Sequence, residues 1–202
     1  MQLIITMDKV RNYYNKHHRE EHKRLKYHVF ELPLTMHFIK QYLPPGSKIF
    51  DTACGTGHYA KHLLGNKYLV GLNDISDQNI KYVENQIGGH EKVLFVDRKD
   101  ILKSKRWNDY KWDAVLILGP MYHLIGMENR LELMKKAAES IKEEGYIFAS
   151  FMTRTGALVY GIKNNPEGIF YPDGAEQLWK TGSDDKFIEA TSSFTNAYFS
   201  HP

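Results

Sequence analysis

The residues with the clearest chemical potential are Asp51-Thr52-Ala53-Cys54-Gly55-Thr56-Gly57. A short apolar segment ends in a carboxylate, and a glycine loop follows. Glycine lets the backbone turn sharply and lie close to a ligand. The amides that open a following helix would point at the same place. Gly55-Thr56-Gly57-His58-Tyr59-Ala60 also satisfies the dinucleotide pattern G-x-G-x-x-G/A, with Asp74 about 20 residues on to hold a ribose hydroxyl. Asp51 discriminates between ligands. A dinucleotide would set its pyrophosphate over the loop, where a carboxylate is unwelcome. A cationic ligand would be attracted.

These residues need a scaffold, and the surrounding pattern predicts one. Residues 48–51, 68–72, 93–96, 114–118 and 146–151 read as short buried strands. Residues 58–64, 77–86 and 128–142 between them read as helices, the last with Leu131, Leu133, Met134, Ala137, Ala138 and Ile141 on its apolar face. Such alternation predicts a doubly wound, Rossmann-like α/β fold, its sheet mostly parallel with helices on both faces. Ligands then bind beyond the carboxyl ends of the strands. Ahead of this core, residues 9–27 are crowded with charge, His and Tyr, and read as a solvated helix or a partly mobile arm. Residues 31–43 carry Leu34, Phe38, Ile39 and Tyr42 at helical spacing, and Pro44-Pro45-Gly46 stops that helix. Past Arg154 the periodicity fades. The chain therefore divides into a helical cap (1–46), an α/β core (47–154) and an irregular substrate-side segment (155–202), all within one domain.

S-adenosylmethionine is a ligand of the kind Asp51 favours: it carries an ammonium and a sulfonium but no phosphate. The sequence resembles the class I S-adenosylmethionine-dependent methyltransferases, whose first motif is an acid followed by G-x-G-x-G; Ala53 stands where the first glycine would be. The resemblance covers residues 14–154 and includes a generic bacterial subfamily at Leu118-Gly119-Pro120-Met121-Tyr122-His123-Leu124. It implies S-adenosylmethionine as cofactor and S-adenosylhomocysteine as product. It places Asp51, Ala53, Gly55 and Gly57 at the methionine end, Asp74 and Ile75 at the ribose, Asp97 and Arg98 at the adenine, and Leu118 and Gly119 near the reactive methyl. The family's sheet has two further strands after the fifth, so a shortened sheet or a truncated chain is expected, with the fifth strand as an edge.

Tyr122 and His123 are the candidates for the reaction end. His123 could take a proton, since an unperturbed imidazole titrates near neutrality. It could equally cap or pack the next helix. Tyr13, Tyr14 and His17 could close over the cofactor, or belong to an arm without a role. Cys54 reads as a space-filler. His18-Arg19-Glu20-Glu21-His22 formally matches a zinc pattern, but no third ligand is apparent and no metal is expected. The basic residues of the arm are diluted by Asp8, Glu20 and Glu21, and the net charge is only +3, which disfavours nucleic acid. A single cysteine excludes an intrachain disulfide and fits a reducing, cytoplasmic setting. No stretch approaches the ~18 apolar residues of a membrane span. A small-molecule methyl acceptor is expected; an RNA or protein acceptor, and a cofactor-binding module without turnover, stand as alternatives.

Overall fold

The computed structural model describes residues 7–27, 30–164, 172–182 and 197–201. Two helices lead, α1 (Met7–Tyr27) and α2 (Glu31–Tyr42). The core then runs β1 (Lys48–Asp51), α3 (His58–Gly65), β2 (Leu69–Asp74), α4 (Asp77–Ile87), β3 (Val93–Arg98), β4 (Trp112–Ile117), the short α5 (Pro120–His123), α6 (Met127–Ser140) and β5 (Ile141–Ala149). Two single turns of tighter helix, Ile101–Lys103 and Arg106–Asn108, join β3 to β4. Helices α7 (Arg154–Asn164) and α8 (Pro172–Thr181) follow.

Among the described residues the sheet has five parallel strands in the order β3-β2-β1-β4-β5. Strand alternation builds two cores from the same few residues. Ile49, Ala114 and Leu116 face the side covered by α2, α3 and α4. Phe50, Val115 and Ile117 face the opposite side, against Trp107, Met121, Leu133 and Ala137. Gly71 gives this second face its close packing. A Cβ there would stand 2.7 Å from both Phe95 and Trp112, so no larger residue fits without displacing a ring. The order of strands reverses between β1 and β4, and the site lies at that switch point.

Several expectations are corrected. Strand β5 begins at Ile141, and α6 ends at Ser140. Ile141 pairs with Trp112 but Tyr146 with Ala114, so Lys142–Gly145 carries a register shift that the charged Glu143-Glu144 pair obscured. The segment after residue 154 is not irregular where it is described. It holds α7 and α8, and Ala157, Leu178, Ala197 and Phe199 form a small core there. Helix α2 buries Met36 and Ile39, and Leu43 just after it is buried too, while Leu34, Phe38 and Tyr42 are exposed. Of the aromatics in the last segment, Phe170, Tyr171 and Phe194 lie outside the described residues. Trp179 is half exposed, and the Tyr198 ring receives the Arg130 guanidinium at 3.6 Å. No described helix is long and apolar enough to cross a membrane.

The largest correction concerns α1. Its charged residues Lys9, Lys16, Arg19, Glu20 and Lys23 do face solvent, but Val10 is buried. Asn15 accepts from Ser76 Oγ at 2.8 Å and from the Gln78 amide at 3.3 Å, docking the helix on the start of α4. A break in helical geometry at His17 separates the half that carries Tyr14 from the half that carries His22.

Candidate active site

The glycine loop leaves β1 at Asp51 and enters α3 at His58. Gly55 and Gly57 have φ of 54° and 74°, a region that costs a side chain 1–2 kcal/mol or so and costs glycine little. Hydrogen bonds tie the loop to neighbouring strand ends. The Cys54 amide donates to Asn73 carbonyl at 2.8 Å, and Thr52 donates to Leu116 carbonyl through both its amide and its hydroxyl. Asn73 Nδ2 bridges Thr52 and Lys99 carbonyls at 3.0 and 3.1 Å, joining the ends of β1 and β3.

Asp74 ends β2 and binds the loop directly. Its Oδ2 accepts from the Gly55 amide at 2.8 Å, and its Oδ1 from the Ser76 amide at 2.8 Å and Asn79 Nδ2 at 3.2 Å. Burial nevertheless raises its pKa, against the lowering effect of these donors. Asp51 is more extreme. It is buried, and among the described residues its carboxylate accepts only the Ala53 amide, at 3.3 Å. Burial, with a smaller push from Asp74, raises its pKa to about 7.

A cleft opens over these groups, lined by the glycine loop, the strand ends and the helical cap. Asp51, Ala53, Gly55, Asp74, Ile75, Leu118, Gly119, Tyr122 and His123 all line it. Gly57 does not. Its part is structural: it caps α3 in the left-handed region, close against Val83. Asp97 and Arg98 also stand outside the cleft. Asp97 shares the face of β3 that carries Phe95 and lies 3.6 Å from Arg106, while Arg98 pairs with Asp77 at 3.1 Å. Lys99 and Ile101, just beyond the strand, line the cleft at that end.

Of the cap residues the sequence offered, Tyr14 lines the cleft and Tyr13 and His17 do not; sequence reasoning missed Glu21, Arg24 and Glu31. Tyr14, Glu21, Arg24 and Glu31 line the cleft from α1 and α2. Tyr14 and His123 join through hydroxyl and Nε2 at 2.8 Å, and His22 Nδ1 meets Thr56 Oγ1 in the glycine loop at 2.8 Å. The zinc-like pattern therefore spends His22 on the loop, and no cluster among the described residues is built to hold a metal ion. His123 is buried, which lowers its pKa to about 3. It is a neutral ring across the physiological range, not a base poised near neutrality. The Tyr122 hydroxyl sits 3.6 Å from where a Cβ on Gly119 would stand, and that point is 3.8 Å from Ala53 Cβ. The loop after β4 thus meets the glycine loop at the switch point.

The cleft suits a cationic nucleoside. Asp51 is a buried carboxyl held short of ionisation for want of a positive partner. Asn73 Oδ1 and Asn79 Oδ1 are buried acceptors without a donor among the described residues, and both residues line the cleft. Ligand hydroxyls or an ammonium would satisfy such groups.

Comparison with known proteins agrees. Residues 50–149 match the family model described as a methyltransferase domain. No curated protein matches the chain at significance. Among solved structures, the chain is similar to DhpI in a SAM–HEP complex, with 18% identity, 82% of this chain and 75% of that one covered, and a TM-score of 0.61. It is similar to a SAM-dependent methyltransferase from Methanosarcina mazei at 17% identity, 81% and 77% coverage, and TM-score 0.60. A sugar N-methyltransferase from Streptoalloteichus matches at 16% identity and TM-score 0.55, over 66% of this chain and 54% of that one. Sheet order, glycine loop and family match together define a nucleoside-binding α/β enzyme that moves a methyl group. The chain belongs to the class I S-adenosylmethionine-dependent methyltransferases.

Proposed function

We propose that the enzyme methylates a small molecule whose nucleophile is presented at Tyr122 and His123. The observation that carries this is the closed reaction end. Tyr14 reaches from the cap to His123, and Tyr122 places its hydroxyl beside Gly119 and Ala53. A reaction end covered by the cap in this way suits a small acceptor better than a polymer. The name of the sugar N-methyltransferase among the structural neighbours is in keeping with that. A cytoplasmic setting is part of this reading, supported by the one buried, unpaired cysteine.

The methionine end of the donor would lie by Asp51, Ala53 and Gly55, and the ribose by Asp74 and Ile75. The adenine would lie by Ile75, Lys99 and Ile101, instead of Asp97 and Arg98. When bound, S-adenosylmethionine supplies an electrophilic methyl on a cationic sulfur. The protein's task is then alignment and exclusion of water. His123, neutral and fixed by Tyr14, orients the acceptor and stores no proton. That arrangement fits a nucleophile arriving with a free lone pair, such as an amine, better than a hydroxyl that must first be deprotonated.

The test is formation of S-adenosylhomocysteine from a panel of amine and hydroxyl metabolites. With a responsive acceptor, Tyr122→Phe is expected to lower turnover about 10-fold, the scale of one lost hydrogen bond, and to leave donor affinity unchanged. The rate should show no step near pH 6.5 assignable to His123. A Tyr122→Phe enzyme with full turnover, or one that has lost donor binding, would remove Tyr122 from the reaction end.

A further inference from the structure

Helix α5 carries Tyr122 and His123, yet it is a single turn, too short to hold its own shape. The Leu124 amide closes it on Pro120 carbonyl at 3.1 Å. The carbonyls at a helix end need donors from elsewhere. Here two groups supply them. The Tyr198 amide donates to Tyr122 carbonyl at 2.8 Å. Arg130, from the first turn of α6, donates through one terminal nitrogen to Leu124 and Ile125 carbonyls at 2.7 and 2.6 Å. The two donors also support each other, since the Arg130 guanidinium stands 3.6 Å from the centre of the Tyr198 ring. A planar cation over an aromatic face is an attractive and orienting contact.

Tyr198 is itself firmly placed. The Phe199 amide donates to Gly182 carbonyl at 2.7 Å, and the Ser200 amide to Met152 carbonyl at 2.8 Å. Ser200 carbonyl accepts from the Arg154 amide at 3.0 Å. The buried Arg154 side chain donates from Nε to Phe199 carbonyl at 3.1 Å and reaches Trp179 carbonyl as well. Residues 198–200 thus bridge the end of α8, the chain just after β5, and α5. Among the described residues none beyond His123 lines the cleft. The described C-terminal part therefore meets the reaction end through the backbone of Tyr122.

We propose that Arg130 and Tyr198 form a clamp on α5 that positions Tyr122 and His123 for methyl transfer. Both are positioning residues: they act through the turn they hold. Alignment is the main demand of this reaction, and a small displacement of the aligning groups is costly. The proposal rests on the reading of Tyr122 and His123 as the reaction end.

The experiment compares the full chain with Arg130→Ala, Tyr198→Ala and Tyr198→Phe. Hydrogen exchange of the Leu124 amide reports opening of the turn. The imidazole ¹⁵N spectrum reports whether His123 keeps its bond to Tyr14, with Tyr14→Phe as the reference for a ring that has lost it. Calorimetry with S-adenosylhomocysteine reports the donor site. Both alanine variants are expected to speed Leu124 exchange about 10-fold or more, while amides of β1 and β4 keep their protection. The His123 signal should move toward the Tyr14→Phe reference, and S-adenosylhomocysteine affinity should stay within about 2-fold. Tyr198→Phe keeps the ring and should behave as the unaltered protein. Unchanged exchange at Leu124 would overturn the proposal. So would equal acceleration at β1 and β4, which would make these residues general supports of the fold. A Tyr198→Phe protein as loose as Tyr198→Ala would overturn the ring contact as the basis of the clamp. None of these readouts involves an acceptor. An acceptor panel without a response would therefore count against the reaction-end reading alone.

Discussion

Asp74→Ala is expected to lower affinity for S-adenosylmethionine at least about 100-fold, measured by calorimetry. Two effects combine. Hydrogen bonds from ribose hydroxyls to a carboxylate contribute ~1.5–3 kcal/mol each, and two of them correspond to ~100-fold or more. Asp74 also accepts from the Gly55 and Ser76 amides and from Asn79, which holds the glycine loop against β2. Alanine would strand these donors in a buried place, at a cost of ~1–3 kcal/mol each. Melting temperature should therefore fall with the affinity. Asp74→Asn separates the two contributions. It keeps one carbonyl acceptor for the loop, so it should recover part of the stability while donor binding stays weak. Near-normal affinity in a folded Asp74→Asn protein would show that the carboxylate does not meet the ribose.

Asp51 predicts that donor binding expels a proton. In the free protein its pKa is raised to about 7, first by burial and then by Asp74. An ammonium placed beside it favours the carboxylate and pulls that pKa down. The bound state then holds fewer protons than the free state around neutrality, so affinity must rise with pH. The rise should run from about pH 5 through 7 and level off above about 8. Titrations in buffers of different ionisation enthalpy should reveal the released proton directly. Stability of the free protein has the opposite slope. A carboxyl whose folded pKa lies above its unfolded value of ~3.9 stabilises the fold at low pH and loses that contribution as pH rises through about 7. Asp51→Asn should abolish the pH dependence of binding and lower affinity most at pH 8. A pH-independent affinity in the unaltered protein would show that Asp51 has no cationic partner.

What was legible in the sequence follows from which constraints are local. The glycine loop could be read because positive φ at Gly55 and Gly57 is a demand of the chain on itself. The central strands could be read because burial on both faces leaves near-continuous apolar runs such as Ala114-Val115-Leu116-Ile117. Helix α7 was hidden, since Gly156 and Gly161 interrupt it and Val159, Tyr160 and Ile162 are exposed, which blurs its period. Asp97 sits in the expected motif, yet which face of β3 it takes depends on strand alternation and on Arg106 across the next turn. The cap was least legible. Tyr14 finds its partner 109 residues away, and Arg24 lies inside a run of charge that looks like a solvated surface. The pKa of His123 is equally non-local, because it is lowered by burial that only the folded chain supplies.

The central claim is that this cleft binds S-adenosylmethionine through a carboxylate where a dinucleotide fold would carry a phosphate. The most direct measurement is a calorimetric titration of the purified protein with S-adenosylmethionine, with NAD as the comparison. Micromolar binding of S-adenosylmethionine and no binding of NAD is the predicted result. Binding of NAD with equal affinity, or of neither ligand, would contradict the account at its base.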